Sequence, residues 1–119
     1  MQDNIIKTKS FEFALHVMGL YKKLASQQEY VLSKQLLRSG TSIGANVQEA
    51  LAGQSRKDFL HKMSIASKEA RETLYWLELL QASGWAKASL EDSLKLAHEL
   101  VRILTAIVKT TARPRSHKQ

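Results

Sequence analysis

Four polar residues recur at helical spacing in the middle of the chain: Arg38, Ser42, Asn46 and Glu49. In a helix of about 3.6 residues per turn they form one row, which borders an apolar row. A buried charge needs a partner, and Glu69 or Glu72 of a facing helix could pair with Arg38 and fix the register of the two helices. We call these six residues the polar stripe. The alternative is that the stripe forms a ligand pocket or a subunit contact, and the sequence leaves both interpretations open.

Constellations typical of enzymes are scarce in this sequence. A di-iron helical bundle needs paired Glu-x-x-His motifs that face inward, whereas this chain has a single Asp58-x-x-His61 without a second copy. Near a helix start, Asp58 more simply interacts with the helix dipole. Serine, histidine and aspartate are not grouped for nucleophilic catalysis, and no glycine-rich loop follows a strand. We therefore predict a non-enzymatic protein with no catalytic residues, metal or cofactor.

Basic side chains are the other candidates for binding chemistry. The formal charge is +7 and the pI about 9.8, which favours polyanionic partners. Four basic residues fall within the last eleven positions without an acidic neighbour, so more than half of the excess charge lies there. Contacts with phosphate groups of RNA or DNA would give affinity without sequence readout. The candidates are Lys34, Arg38, Arg56, Lys57, Lys62, Lys109, Arg113, Arg115 and Lys118. The alternative is a solvated charged surface on a protein that binds another protein.

Length and composition limit the class of protein further. A chain of 119 residues fits a single domain. The absence of cysteine excludes disulfides and thiolate ligands and fits a reducing compartment. No apolar run approaches the ~20 residues of a membrane span, and the N-terminus lacks the apolar core of a signal peptide. We therefore expect a cytoplasmic protein that has no membrane partner.

The scarcity of helix breakers predicts an all-α fold, because the chain has five glycines and one proline, Pro114. The predicted helices span about residues 10–25, 31–51, 56–82 and 90–112, with Ser10, Ser55 and Ser89 as N-caps and Gly84 as a C-cap. Short connections favour antiparallel neighbours. We predict an up-down-up-down four-helix bundle over residues 1–112 and a basic flexible tail over residues 113–119.

Two glycines, Gly40 and Gly44, lie inside the predicted second helix. Each costs about 1 kcal/mol relative to alanine in a helix interior. Because the apolar row continues in phase across both, we predict an uninterrupted helix rather than a turn. The missing side chains would then allow close approach of a neighbouring backbone, a ligand or another subunit.

The first and fourth helices carry wider apolar faces than a monomeric bundle requires. On the first helix, Phe11, Leu15 and Met18 form a second apolar row beside the row that contains Leu20. A helix that only covers a core needs an apolar stripe of roughly 100°. The surplus predicts self-association, with Leu20 and Ile103 of the fourth helix in the interface. Scattered apolar residues on a monomer's surface are the alternative.

The central stretch resembles a known family. The residues LLRSGTSIGANVQEA, followed by SRKDFLHKMSIASKEARETLYWLELL, are similar to the four-helix bundle proteins encoded by intervening sequences in 23S ribosomal RNA genes. They also resemble the related accessory variability protein of diversity-generating retroelements. The similarity covers roughly residues 10–110. Its distinctive parts are Arg38-Ser39, Ser42-Ile43, Ala45-Asn46, Glu49, Ser55, Asp58-Phe59 and the segment from Ser64 to Glu72.

The resemblance implies a bundle that assembles into a ring-like pentamer with a central channel, and it implies no established enzymatic activity. The retroelement relative is highly basic and is thought to bind nucleic acid and a reverse transcriptase, whereas this chain is only mildly basic outside its tail. We predict a homopentamer that binds RNA or another nucleic acid through repeated basic patches. A structural or adaptor protein that acts through protein–protein contacts is the alternative.

Overall fold

Four α-helices form the structure, a computed structural model that describes residues 2–114, with side chains described from residue 5 onward. They are α1 (Gln2–Ser26), α2 (Val31–Leu51), α3 (Arg56–Ser83) and α4 (Glu91–Ala112). No strand occurs within residues 2–114, so the predicted all-α class is confirmed. Arg115 and Lys118 of the predicted tail lie outside the described residues. None of the four helices has a stretch long and apolar enough to cross a bilayer.

The first helix begins at Gln2, and the start predicted near Ser10 is wrong. Ser10 is fully buried inside the helix, and its hydroxyl donates to the backbone carbonyl of Lys7 at 3.2 Å instead of capping the helix. The reason is Ile6, which lies in phase with Phe13 on the apolar face and is also fully buried. Packing of Ile6 stabilises the additional N-terminal turns, as tertiary contacts do for most protein helices.

Helix ends follow the predicted caps at α3 but not at α4. The Ser55 hydroxyl accepts from the backbone N–H of Asp58 at 3.0 Å, and Gly84 ends α3 in the left-handed region with φ +70°. At α4 the capping position is occupied by Leu90, which has no side-chain oxygen. The hydroxyl of Ser89 reaches the Glu91 N–H only at 3.4 Å, so Ser89 is a poor substitute for a cap.

The second helix runs through both glycines without a break, as predicted. Both glycines face α1. A Cβ atom at Gly40 would lie 2.8 Å from a methyl group of Val17, and one at Gly44 would lie 3.3 Å from the backbone carbonyl oxygen of Ser10. The close approach therefore serves packing of α1 on α2 within the chain, which corrects the alternative of a ligand or subunit contact at these glycines.

Each helix packs on its neighbour in the sequence, and α4 also packs on α1. Between α1 and α4, Lys9 forms an ion pair with Glu99 at 3.2 Å, and His16 contacts the hydroxyl of Ser93 at 2.6 Å. The earlier residue of α1 thus meets the later residue of α4. The core draws on all four helices and includes Phe13, Val17, Leu24, Leu36, Ile43, Met63, Leu77, Leu80, Leu100 and Leu104.

The two apolar rows of α1 have different environments. Leu20 is 5% exposed and belongs to the core, whereas Phe11, Leu15 and Met18 are 60%, 55% and 49% exposed on the opposite side of the helix. Ile103 of α4 is half-buried against the same core. The predicted interface position Leu20 is therefore wrong, because the bundle itself covers it, whereas Ile103 remains a prediction because part of its side chain is still exposed.

Candidate nucleic-acid interface

The polar stripe lies along the seam between α2 and α3. Arg38 Nη1 is 3.3 Å from Glu69 Oε1, and Nη2 contacts Glu72 Oε2. Trp76 Nε1 donates to the same Glu72 oxygen at 2.9 Å. The predicted pairing of Arg38 with these carboxylates is thus present, and it joins residues that lie more than 30 positions apart in the sequence.

The remaining members of the stripe continue this seam. Asn46 donates to the backbone carbonyl of Ser42 at 2.9 Å, and Glu49 forms an ion pair with Lys62 at 2.6 Å. None of the six stripe residues is fully buried, and the Arg38 side chain is 51% exposed. The four charged members therefore form partly solvated contacts between α2 and α3, whereas the Asn46–Ser42 bond lies within α2, and the stripe borders the core without lying inside it.

Three of the candidate phosphate-binding residues are already engaged within the fold. Arg38 and Lys62 have the carboxylate partners just described. Arg56 donates to the backbone carbonyl of Thr111 at 2.6 Å and to that of Arg113 at 2.7 Å. Those carbonyls belong to the last turn of α4 and its C-cap, where a guanidinium group is a favourable partner. The contacts of these three residues indicate structural roles.

Four other candidates are exposed and have no ion pair among the described residues: Lys34, Lys57, Lys109 and Arg113. The contact of Arg56 with the end of α4 brings the start of α3, and hence Lys57, to the side of Lys109 and Arg113. Lys34 lies on α2, away from this group. The structure thus gathers three of the exposed candidates at one end of the α3–α4 pair.

Further basic residues extend this group along both helices. The outer side of α3 carries Lys57, His61, Lys68 and Arg71, and the outer side of α4 carries Lys95, His98, Arg102 and Lys109. All eight are exposed, and we call them the α3–α4 basic face. Arg71 donates to the hydroxyl of Thr105 at 2.7 Å, which shows that the two rows flank one seam. The exposed acidic residues Glu78 and Glu91 lie near the loop that joins α3 and α4.

Most of this face was missed by the sequence reasoning. Each row spans fourteen positions, or about 21 Å at ~1.5 Å per residue. Lys68, Arg71 and Arg102 alternate with acidic and apolar residues in the sequence, so each resembles an ordinary solvated residue. The sequence signal that could have found them is spacing. Along α3, and again along α4, successive basic residues are three, four or seven positions apart, which places each row on one side of its helix.

The described residues contain no group of three or more histidine, cysteine or acidic side chains that could hold a metal ion. Asp58 and His61 are both exposed near the start of α3, where the backbone N–H of Asp58 donates to the Ser55 hydroxyl. What the described residues do present is an array of exposed cations on α3 and α4.

Comparisons with known proteins give a consistent result. A family model for the 23S rRNA-intervening sequence protein matches residues 2–106. The solved structure of a protein with unknown function from the S23 ribosomal protein family of Bacteroides thetaiotaomicron VPI-5482 is similar, with a TM-score of 0.86 and 50% sequence identity. The match covers 92% of this chain and 99% of that one. Among curated proteins, none matches.

Proposed function

Because the chain belongs to the 23S rRNA-intervening sequence protein family, we propose that it is a cytoplasmic, non-enzymatic protein that binds RNA or another nucleic acid as a homopentamer. The observation that supports nucleic-acid binding is the α3–α4 basic face. The opposite order of the contacts between neighbouring helices supports an antiparallel, up-down-up-down bundle as the rigid support of that face.

The face offers six cationic side chains in two rows: Lys57, Lys68 and Arg71 on α3, and Lys95, Arg102 and Lys109 on α4. Packed helices lie about 8–10 Å apart, so the rows can contact phosphate groups on both sides of the α3–α4 seam. None of the six forms an ion pair with a described carboxylate, so the binding of phosphate groups breaks no internal ion pair. Contacts with phosphate groups supply affinity but little sequence preference.

Fluorescence anisotropy of nuclease-treated protein with labelled structured RNA and duplex DNA, over a series of salt concentrations, tests this proposal. We expect affinity to fall with salt at a slope of about −0.7 to −0.9 per phosphate contact. The double variant Lys68→Gln/Arg102→Gln removes one cation from each row and should reduce both the affinity and the slope, by about two contacts.

Lys22→Gln/Lys23→Gln is the matched control, because it removes the same charge from exposed residues of α1. It should retain the wild-type affinity, and the single variant Lys34→Gln separately tests the earlier candidate Lys34. An equal loss in the two double variants would show that net charge, and not the α3–α4 basic face, causes the binding. Equal affinity for heparin and for RNA would also contradict a nucleic-acid function.

Self-association is supported by the exposed row of Phe11, Leu15 and Met18 on α1, since contiguous exposed apolar side chains mark interaction sites. The number of five subunits rests on the resemblance to the ring-forming family. In a closed ring, each basic face would recur at regular intervals around the assembly, which multiplies the phosphate contacts available to one nucleic acid.

A structural or adaptor protein is the second candidate, and the same exposed row on α1 favours it because another protein could bind there. The two candidates differ in their response to salt. An intact oligomer that binds neither RNA nor DNA at low salt would favour the adaptor.

A further inference from the structure

The loops α1–α2 and α3–α4 lie side by side and expose large apolar side chains. Tyr30, Val31 and Trp85 are 51%, 72% and 59% exposed. Together with Gln27, Gln28 and Glu29 they line a shallow depression of about 380 Å³ that is widely open to solvent, which we call the cavity. Neither aromatic residue contributes to the core, so the fold does not explain their presence at this position.

The two loops are held together by one side chain. The Gln27 amide nitrogen donates to the backbone carbonyl of Trp85 at 2.6 Å, and its oxygen accepts from the backbone N–H of Lys87 at 3.1 Å. Gln28 adopts φ +68° because it is the left-handed residue that ends α1, and its backbone N–H donates to the carbonyl of Ala25 at 2.9 Å.

The rings of Tyr30 and Trp85 do not stack on each other. Ring pairs in the described part of the chain are Phe13–His16 and Tyr75–Trp76, and neither includes the aromatic residues of the cavity. Both rings line the same open depression, on two loops that Gln27 joins.

We propose that Tyr30 and Trp85 form a stacking site for an unpaired base of a single-stranded segment of nucleic acid. This inference rests on the proposed function. Aromatic side chains next to cationic residues bind single strands in this way, and because every base has a π-face, stacking tolerates any sequence. The side-chain amide of Gln27 is occupied by backbone contacts, so it is not free to read base edges.

The position of Trp85 favours nucleic acid over other partners. Its loop joins the two helices of the α3–α4 basic face and therefore lies at one end of that face. Lys87 is exposed two residues after Trp85, and Lys95 lies in the second turn of α4. The exposed Glu78 and Glu91 near this loop disfavour phosphate groups more than an uncharged base. The α3–α4 basic face would bind the phosphate backbone of the strand, and the cavity would bind the unpaired base.

Tryptophan fluorescence tests the stacking site directly, because the chain has two tryptophans. The variant Trp76→Phe leaves Trp85 as the reporter, and Trp85→Phe leaves Trp76 as the matched control. We expect single-stranded RNA to quench Trp85 emission strongly and a blunt duplex of the same length to quench it weakly. Neither should quench Trp76 comparably.

Affinity gives a second readout. Trp85→Ala should weaken the binding of single-stranded RNA about tenfold or more and leave that of the blunt duplex unchanged, as stacking is lost while phosphate contacts remain. Tyr75→Ala, which removes an exposed aromatic side chain outside the cavity, is the control. Circular dichroism should show wild-type helicity in all variants, since Trp85 is mostly exposed.

RNA binding by anisotropy without a change in Trp85 emission would overturn the stacking site and leave the proposed function standing. Quenching of Trp85 by a proline-rich peptide but not by RNA would assign the cavity to a protein partner and also overturn it. If the wild-type protein binds no nucleic acid at any salt concentration, both proposals fail.

Discussion

At the scale of single residues, the glycines of this chain have opposite surroundings. Gly40 faces the fully buried Val17, and an added Cβ would lie 2.8 Å from its methyl group. Val17 is β-branched and has little rotamer freedom in a helix, so it cannot turn away. Gly19 also lies inside a helix, but nothing stands within 4 Å of an added Cβ. Packing therefore requires the glycine at Gly40, whereas it does not require the one at Gly19.

We expect Gly40→Ala to lower the free energy of unfolding by about 1–2 kcal/mol, because overpacking costs about 1–3 kcal/mol and the gain in helix propensity returns at most ~1 kcal/mol. Gly19→Ala should raise the free energy of unfolding by up to about 1 kcal/mol, since it gains propensity without a clash. Urea denaturation followed by circular dichroism measures both. A stabilised Gly40→Ala variant would show that the contact with Val17 relaxes easily.

At the scale of the helices, α2 begins without an ordinary capping residue. Tyr30 occupies the N-cap position and makes no side-chain cap. Instead, the carboxylate of the preceding Glu29 accepts from the backbone N–H groups of Val31, Leu32 and Ser33 at 2.7–3.2 Å. These are free N–H groups of a helix start, and a negative charge there is favourable.

Glu29→Ala should therefore lower the free energy of unfolding by about 1–2 kcal/mol, as the loss of a side-chain cap does. Glu78→Ala is the control, because Glu78 is exposed on α3 and its removal should change stability by less than about 0.5 kcal/mol. Denaturant unfolding gives both values, and hydrogen exchange should show faster exchange at Val31, Leu32 and Ser33 in Glu29→Ala. Equal effects of the two substitutions would mean that the cap contributes nothing.

At the scale of the whole molecule, the bundle covers its own apolar surface unevenly. The wide apolar face of α4 is taken up by the core and its margin, whereas α1 leaves Phe11, Leu15 and Met18 exposed on the side opposite Leu24. A substitution at Leu20 or Ile103 would damage the core and could not separate assembly from folding. The exposed row on α1 is the surface on which self-association can be tested.

We expect Leu15→Glu/Met18→Lys, which leaves the net charge unchanged, to reduce the mass in solution from five times the chain mass to the single-chain value of 13.4 kDa. Light scattering coupled to size exclusion gives this mass, and the helicity of the variant should stay at the wild-type level. Tyr75→Glu/Leu79→Lys, on exposed apolar residues of α3, is the matched control and should remain assembled. An unchanged mass in the α1 variant would contradict the role of this row.

The amino-acid sequence by itself determined the helical elements of this protein and its family. Apolar periodicity, the caps at Ser55 and Gly84, and continuity across Gly40 and Gly44 are local properties, because a helix is set by residues three and four positions apart. The start of α1 was misjudged although Ile6 was in phase, because polar neighbours concealed the apolar row.

Tertiary structure alone decided which side of each helix is covered and which charges are free. Periodicity groups Phe11 with Leu15 and Val17 with Leu24, but only packing into the core of the bundle buries the second pair. Likewise, Arg56 and Lys68 look equivalent in sequence, yet the end of α4 occupies one and leaves the other in solvent. Such differences arise from contacts between residues far apart in the chain, and no local pattern specifies them.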